Sequence, residues 1–245
     1  MRAIILAAGM ASRLRPLTNN TPKCLLKIGE RSLLQRSIDA LTSNGIKEIV
    51  IVTGYLHNQI EDFVRQQYPS LKVTFIHNDV YDSTNNIYSL WLARPKADGE
   101  EILLLDSDLL YDPEIIKRVL DTPAENILTL IRHDLGEEEM KVVTDGGSEG
   151  NITEISKTCS PADAIGESLG IEKMGKSYTS ALYKELEPMM TQEHLENVFY
   201  EKAFERLIPK GHTFKVLDVT DLFSCELDTV EDFQNAKEKI PQSLY

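Results

Sequence analysis

The sequence has no apolar run close to the roughly 20 residues that a membrane-spanning helix requires. Its N-terminal run, RAIILAA, is short and is followed by further arginines, which predicts a first buried strand rather than a signal peptide. With only 13 glycines and 10 prolines in 245 residues, low-complexity and collagen-like chains are excluded. The remaining composition, 42% hydrophobic and 27% charged, is that of a globular protein with a sizeable core.

Cysteine is scarce, and Cys24, Cys159 and Cys225 are scattered without CxxC spacing. An odd number of isolated cysteines argues against a disulfide framework and against a structural zinc site. This usage predicts a cytoplasmic protein without membrane insertion.

Basic residues are outnumbered, since 26 Lys and Arg face 39 Asp and Glu, for a net charge of −13. An acidic chain of this kind is a poor partner for nucleic acid. The charge is unevenly distributed, because residues 1–36 contain seven basic side chains and one acid. A basic N-terminal segment on an acidic body favours a small anionic ligand there, with plain surface charge as the alternative.

Short apolar runs alternate with amphipathic helical patterns in the first half of the chain. The runs RAIILAA, EIVIVTG, KVTFIHN and EILLLDSD are apolar throughout, as is typical of strands covered on both faces. The helices predicted between and after them are 32–44 (capping box Ser32 and Gln35, ended by Gly45), 57–68, 86–94 (ended by Pro95) and 112–121 (capped by Asp112). This alternation predicts an α/β fold, a doubly wound Rossmann-like three-layer sandwich with a mostly parallel mixed central sheet.

After residue 125 the pattern changes. ILTLIRH, KVVTD and NITEISK resemble strands, and the turn at 145–147 predicts a hairpin between the last two. Helices over 178–190, 194–208 and 230–239, and a strand pair formed by FKVLDV and LFSCEL, complete the prediction. Because no repeat or linker is present, we predict a single domain over 1–245.

A long loop after the first strand combines small residues with Arg13 and Lys23. It reads LAAGMASRLRPLT over 6–18 and PKCL over 22–25, and is neither a Walker loop nor a GxGxxG fingerprint. Ligands of open α/β sheets bind at the carboxyl ends of strands, where small residues let backbone N–H groups approach phosphate oxygens. This loop is therefore a candidate phosphate-binding segment.

Acidic residues end two later strands. Asp106 and Asp108 follow EILLL and share a face because they are two residues apart, and Asp228 follows the last predicted strand. Carboxylates in such positions suit a hard cation such as Mg²⁺. Taken alone, Asp106 and Asp108 are equally plausible as turn residues, and Asp228 as the N-cap of the following helix.

These motifs resemble the signature of the nucleotidyltransferase superfamily that makes nucleotide-sugars and CDP-alcohols, roughly LAAGxGxRLxPLT followed by PKxL. The resemblance runs through the whole chain and is strongest over 1–54 and 100–112. It implies a nucleotide-binding half over 1–125 and an acceptor-binding half over 126–245. The family's second glycine is Ala11 here, and we expect its methyl group to crowd the triphosphate slightly.

The resemblance assigns roles by position. The phosphates would be cradled by Leu6, Ala7, Ala8, Gly9, Met10, Ala11 and Ser12. Arg13 would neutralise the departing pyrophosphate and Lys23 would contact the α-phosphate, with solvated surface charge as the alternative. Asp108 and Asp228 would hold Mg²⁺, and Asp106 would assist directly or through water beside the nucleotide.

The loop after the third strand differs from the sugar-nucleotide branch, which usually has Gly-Thr-Ala where this chain has Thr84-Asn85-Asn86. The pattern NNxxSL resembles the branch that uses CTP with small phospho-alcohols or phosphonates, such as the phosphocholine and 2-aminoethylphosphonate cytidylyltransferases. This resemblance implies that Ser83, Thr84 and Asn85 pair with cytosine. Asn86 is alternatively the cap of the next helix.

Candidate acceptor residues lie in the second half, where 155–157 and 166–171 resemble the family's acceptor-binding segments. Lys157 would grip the acceptor's phosphate or phosphonate, and Glu167 would hold ribose or acceptor. Tyr200, Glu201 and Glu226 would surround a cationic head group. Core packing of Tyr200 is the alternative, and the lack of a spare tryptophan favours a primary amine over a quaternary ammonium.

The sequence thus predicts a Mg²⁺-dependent cytidylyltransferase that moves CMP from CTP to a small anionic acceptor. The alternatives are a sugar-1-phosphate nucleotidyltransferase and a non-catalytic nucleotide-sensing module. No strong general base is needed, because a phosphate or phosphonate is already an anionic nucleophile, and catalysis then rests on positioning and charge neutralisation. A homo-oligomer is left open.

Overall fold

We describe residues 1–147 and 150–244 from a computed structural model. The strands in these ranges are β1 (Arg2–Ala7), β2 (Lys27–Ile28), β3 (Arg31–Ser32), β4 (Glu48–Thr53), β5 (Lys72–His77), β6 (Ile102–Asp106), β7 (Leu109–Tyr111), β8 (Ile127–Ile131), β9 (Lys141–Thr144), β10 (Ile152–Ser156), β11 (Gly166–Met174), β12 (Lys215–Asp218) and β13 (Ser224–Glu226). The α-helices are α1 (Leu33–Ser43), α2 (His57–Gln67), α3 (Asn86–Leu92), α4 (Arg94–Ala97), α5 (Glu114–Asp121), α6 (Lys176–Thr191), α7 (Glu201–Leu207) and α8 (Val230–Lys239). None of these helices is long and apolar enough to cross a membrane.

The main sheet has the order β10-β9-β11-β6-β1-β4-β5, and β8 and β12 extend it from β11. Strands β6, β1, β4 and β5 pair in parallel, whereas β11 is antiparallel to its neighbours β6, β8 and β9. Alternate residues of β1 enter two different cores: Ile4 packs with α6 and α7, and Ile5 with α1, α2 and α5. Both faces of the sheet are therefore covered by helices, which confirms the predicted sandwich.

The helix ends follow the predicted capping chemistry in part. The Ser32 hydroxyl accepts a hydrogen bond from the backbone N–H of Gln35 at 3.1 Å, and Gly45 leaves α1 with φ 84°. The carboxylate of Asp112 accepts from the N–H of Glu114 at 2.9 Å, but the cap position of α5 is Pro113, one residue later than predicted. The prediction for Pro95 is wrong: α3 already ends at Leu92, and Pro95 lies in the first turn of α4, where its missing N–H costs no hydrogen bond.

Two predictions for the second half need correction. The hairpin of β9 and β10 is confirmed, with residues 148 and 149 outside the described ranges. The strand pair is wrong, because β12 pairs with β8 and β13 pairs with β7. The helix predicted over 194–208 begins only at Glu201. The residues before it bind the start of α3 instead: the carbonyl of Glu196 accepts from the N–H of Asn85, and the N–H of Tyr200 donates to the side chain of Asn86.

Candidate active site

The carboxyl ends of β1 and β6 lie side by side, because Leu6 is in register with Asp106. A cavity of about 970 Å³ opens there, and both halves of the chain line it. The predicted site residues that line this cavity are Leu6, Ala7, Ala8, Gly9, Ala11, Arg13, Lys23, Thr84, Asn85, Asp106, Asp108, Lys157, Glu167, Glu201, Glu226 and Asp228. The fold therefore brings the N-terminal loop, the acidic strand ends and the predicted acceptor segments to one place.

The loop between β1 and β2 is built on two short 3-10 turns, Ser12–Leu14 and Lys23–Leu25. The hydroxyl of Thr18 donates to the carbonyl of Ala11 at 2.9 Å and closes the first turn. Ala11 has φ 47° and ψ 51°, the left-handed region that glycine enters freely and that costs other residues about 1–2 kcal/mol. The glycine of the family signature at this position therefore has a conformational reason.

A separate two-stranded sheet delivers the second set of carboxylates. In the antiparallel pair of β7 and β13, Glu226 is in register with Leu109, and the N–H of Leu227 donates to the carbonyl of Asp108 at 3.2 Å. Carboxylate oxygens of Asp108, Glu226 and Asp228 consequently lie within 4.8 Å of one another. We call these three residues the carboxylate cluster.

The capping alternative for Asp228 is wrong. Helix α8 is capped by Thr229, whose hydroxyl accepts from the N–H of Asp232 while the carboxylate of Asp232 accepts from the N–H of Thr229. Because this capping box satisfies the start of the helix, the side chain of Asp228 faces the cavity instead.

The carboxylate cluster fits a divalent cation. Oxygen ligands are those that Mg²⁺ prefers, and Oδ1 of Asp108 is buried without a hydrogen-bond partner among the described residues. Glu226, which the sequence assigned to the acceptor, joins the cluster in place of Asp106. The signal was present as a second acid-x-acid pattern, Glu226-Leu227-Asp228, that repeats the spacing of Asp106 and Asp108.

Two basic side chains from the N-terminal loop contact this cluster. Nζ of Lys23 donates to Oδ2 of Asp108 at 2.8 Å and to Oδ1 of Asp228 at 2.7 Å, and the Arg13 guanidinium lies 2.6 Å from Oδ2 of Asp228. Burial acts to lower the pKa of Lys23, but the two carboxylates outweigh it and raise the pKa above its usual range. Burial acts to raise the pKa of Asp228, and Lys23 with Arg13 reverses this and lowers it. Lys23 and Asp228 are therefore both charged near neutral pH.

A second wall of the cavity, lined by His133, Glu138, Glu139, Lys157, Glu167, Phe199 and Glu201, carries a different set of charges. Nζ of Lys157 lies 4.6 Å from the centroid of the Phe199 ring and 3.9 Å from Oε2 of Glu138. Nε2 of His133 lies 2.7 Å from Oε2 of Glu167. Burial acts to lower the pKa of His133, but the hydrogen bond to Glu167 raises it overall, and burial raises the pKa of Glu167. This wall is rich in carboxylates.

Four predicted residues do not line the cavity. Tyr200 is fully buried and its hydroxyl donates to Oδ2 of Asp106 at 3.0 Å, so it does not contact an acceptor there. Ser83 is exposed, and its hydroxyl donates to the carbonyl of Val80. Met10 and Ser12 also lie outside the lining, although their neighbours Gly9, Ala11 and Arg13 belong to it.

Asn85 and Asn86 make contacts that differ from the predicted ones. Asn85 is the cap of α3, and its side chain accepts from the N–H of Asn86 at 2.7 Å. The side chain of Asn86 instead accepts from the backbone N–H of Tyr200 at 2.9 Å. The capping role proposed for Asn86 is therefore wrong, although both residues line the cavity.

Sequence reasoning missed several lining residues, among them Tyr81, His133, Glu138 and Glu139. The three from 133–139 belong to a segment without regular structure, which carried no periodic signal. Their one visible sign was a cluster of acids after the strand ILTLIRH.

Replacing Glu201 with glutamine should increase the free energy of unfolding at alkaline pH. Glu201 is 6% exposed, and burial raises its pKa from 4.5 to about 7. Because the pKa of this carboxyl is higher in the folded than in the unfolded protein, the free energy of unfolding falls as pH rises from about 4.5 through 7. E201Q removes that loss, worth up to about 3 kcal/mol. Urea unfolding at pH 5 and pH 8 measures the difference, and the advantage of E201Q should grow between them.

The control for this measurement is Glu238→Gln, in an exposed residue near the end of α8. It should leave the pH dependence of unfolding as it is in the wild type. An E201Q protein whose advantage is equal at both pH values would show that Glu201 does not cause the loss.

The protein has the sheet topology of a nucleotidyltransferase, and as in that class a basic loop lies against acidic strand ends. More particularly, the chain belongs to the MobA-like NTP transferase domain family, whose model matches residues 3–170. The resemblance read from the sequence motifs is thus confirmed at the level of the family.

Individual relatives agree with this assignment. A CTP:phosphoglutamine cytidylyltransferase of Campylobacter jejuni is 26% identical, and the alignment covers 98% of this chain and all of that protein. A choline-phosphate cytidylyltransferase of Streptococcus pneumoniae is 39% identical over 109 residues, which are 44% of this chain and 46% of that protein. The solved CTP:phosphocholine cytidylyltransferase of Streptococcus pneumoniae shares 22% identity with a TM-score of 0.77 over 97% of both chains, which confirms the fold.

Proposed function

We propose that this protein transfers CMP from CTP to a small phosphate or phosphonate acceptor that carries a primary ammonium group, and releases pyrophosphate. The observation that carries the proposal is the facing of Lys23 and Arg13 against the carboxylate cluster, beside a wall rich in further carboxylates. The cytidine base is supported by the Asn85-Asn86 loop and by the names of the two cytidylyltransferase relatives. We assign nucleotide binding to 1–125 and acceptor binding to 126–245 of a single domain.

In the proposed reaction an acceptor oxygen attacks the α-phosphorus of CTP. The new P–O bond forms as the bond between the α-phosphorus and the bridging oxygen breaks, and pyrophosphate leaves with that electron pair. Lys23 would stabilise charge at the α-phosphate, and Arg13 would stabilise the departing pyrophosphate. Mg²⁺ held by Asp108, Glu226 and Asp228 would supply orientation of the two anions and screening of their repulsion.

The two basic side chains lie beside the carboxylate cluster before nucleotide binds. Lys23 and Arg13 pair with carboxylates that would hold the metal, so we expect both to move to phosphate oxygens when metal and nucleotide bind. A cationic side chain that exchanges one anion for another keeps its charge compensated throughout. The site therefore needs little rearrangement of charge between its free and loaded states.

The acceptor wall supports a primary ammonium over a quaternary one. A quaternary ammonium is recognised by open aromatic faces, and the exposed ring on this wall, Phe199, already carries the ammonium of Lys157 on its face. Tyr200, the other aromatic candidate, is buried. A primary ammonium instead donates up to three hydrogen bonds, and the carboxylates of Glu167 and Glu201 line the cavity to receive them.

The test is pyrophosphate release with Mg²⁺ for five nucleotides, CTP, UTP, dTTP, GTP and ATP. Each is combined with 2-aminoethylphosphonate, phosphoethanolamine, phosphocholine and glucose-1-phosphate. We expect turnover with CTP and the two primary amines, and a kcat/KM for phosphocholine at least about tenfold lower. Lys157→Met should raise the ratio of phosphocholine to phosphoethanolamine turnover, because it uncovers the Phe199 face.

Other outcomes would redirect the proposal. Turnover confined to UTP or dTTP with glucose-1-phosphate would replace it with a sugar-1-phosphate nucleotidyltransferase. Equal kcat/KM for phosphocholine and phosphoethanolamine would remove the ammonium preference while keeping the cytidylyltransferase. Tight nucleotide binding with no turnover in any combination would favour a nucleotide-sensing module.

A further inference from the structure

One buried side chain connects the two sides of the nucleotide cavity. The hydroxyl of Tyr200 donates to Oδ2 of Asp106, two residues before the cluster carboxylate Asp108. The backbone N–H of the same tyrosine donates to Oδ1 of Asn86 at 2.9 Å, at the start of α3. The proposed metal end and the proposed base end of the site are therefore joined through a single residue.

A second hydrogen bond reinforces this connection. The backbone N–H of Asn85 donates to the carbonyl of Glu196 at 2.9 Å, so the segment 196–200 is attached to both residues of the Asn85-Asn86 loop. Tyr200 itself is fully buried and packs against Phe204 with ring centroids 5.2 Å apart. Because a closely packed side chain has little freedom to move, a displacement at one of its contacts is passed on to the other.

The surroundings of Asp106 show how closely it is fitted. Gly170 of β11 has φ 80°, and a Cβ atom there would lie 2.7 Å from Oδ2 of Asp106, the oxygen that Tyr200 contacts. The carboxylate of Asp106 is thus confined between the backbone of β11 and the hydroxyl of Tyr200. Removing one of these two contacts leaves room for it to turn.

We propose that Tyr200 is a positioning residue that fixes the metal-bearing end of β6 relative to the Asn85-Asn86 loop, and that this is why the chain has a second asparagine at position 86. The inference rests on the proposed function, because it assumes that CTP spans these two ends. In this proposal Tyr200 acts by holding Asp106 and Asn86 in place and does not itself contact nucleotide or acceptor.

The experiment compares Tyr200→Phe with Tyr183→Phe. Tyr183 is also fully buried, and its hydroxyl donates to the backbone carbonyl of Leu90 at 2.9 Å. The control therefore loses a buried hydroxyl hydrogen bond near the end of α3, and neither Tyr183 nor Leu90 lines the cavity. We expect Y200F to lower kcat about tenfold and to raise the Mg²⁺ concentration for half-maximal rate, with KM for CTP changed less than about threefold. Y183F should change the thermal midpoint alone.

The distinguishing measurement comes from the other end of the connection. Asn86→Ala should also raise the Mg²⁺ requirement, although Asn86 is not in the carboxylate cluster, whereas Thr84→Val in the same loop should affect KM for CTP only. The double variant Y200F/N86A should cost less than the two single losses combined, because both break the same connection. If Y200F fails to fold, N86A still tests the proposal from the base side.

Results that contradict the proposal are clear. A Y200F enzyme within twofold of wild type in kcat and Mg²⁺ requirement would overturn it, as would full additivity in the double variant. Isothermal titration calorimetry can follow CTP and Mg²⁺ binding without turnover. A wild-type protein that binds CTP with Mg²⁺ but turns over no acceptor would count against the proposed function, while the Y200F shift in Mg²⁺ dependence of CTP binding would still decide the role of Tyr200.

Discussion

Lys23→Ala is expected to lower kcat by at least about a hundredfold. The Lys23 ammonium is the one that contacts both Asp108 and Asp228, at 2.8 and 2.7 Å, and its loss removes the charge expected to face the α-phosphate. Because the lysine is charged at neutral pH, the loss should be nearly independent of pH between about 6 and 9. Initial rates of pyrophosphate release at saturating CTP and acceptor measure it.

The matched control is Lys27→Ala, an exposed lysine of β2 in the same basic segment, which should keep wild-type turnover. K23A also leaves Asp108 and Asp228 without their shared ammonium, so added Mg²⁺ should raise its melting temperature more than that of the wild type. Turnover of K23A within threefold of wild type would contradict the role assigned to Lys23.

The parts of the site that the sequence could predict are those with local signals. The candidate phosphate-binding loop follows directly from a signature of contiguous residues, and Asp106 with Asp108 ends a strand that is apolar before them. The parallel pairing of β1 and β6 then places them together by a general rule of α/β sheets. The placement of these residues beside one cavity was for this reason largely predictable.

The parts that could not be predicted depend on contacts between distant segments. Glu226 joins Asp108 only because β13 pairs with β7 rather than with β12, and no local pattern distinguishes these pairings. Tyr200 is an aromatic residue of the kind that could contact an acceptor. Its backbone N–H is bonded to Asn86, however, and its side chain is buried in the core. The covering of Phe199 by Lys157 likewise joins residues 42 positions apart in the chain.

Asp108→Asn is expected to lower kcat at least as far as K23A and, in addition, to raise the Mg²⁺ requirement. The substitution keeps the volume of the side chain but removes one of the three carboxyl groups in the carboxylate cluster. The Mg²⁺ concentration for half-maximal rate should therefore rise by at least about tenfold, since Asn binds a hard cation more weakly than a carboxylate. Rates measured across a Mg²⁺ titration separate this effect from a loss of CTP binding.

Asp82→Asn, in an exposed residue of the loop before α3, is the matched control and should leave the titration unchanged. The double variant K23A/D108N carries the sharper test. Lys23 and Asp108 contact each other and, in the proposed reaction, would act on the same phosphate, so the second substitution should cost little beyond the first. If the two losses multiply instead, the lysine and the aspartate act independently, and the charge exchange between carboxylate and phosphate proposed for Lys23 does not occur.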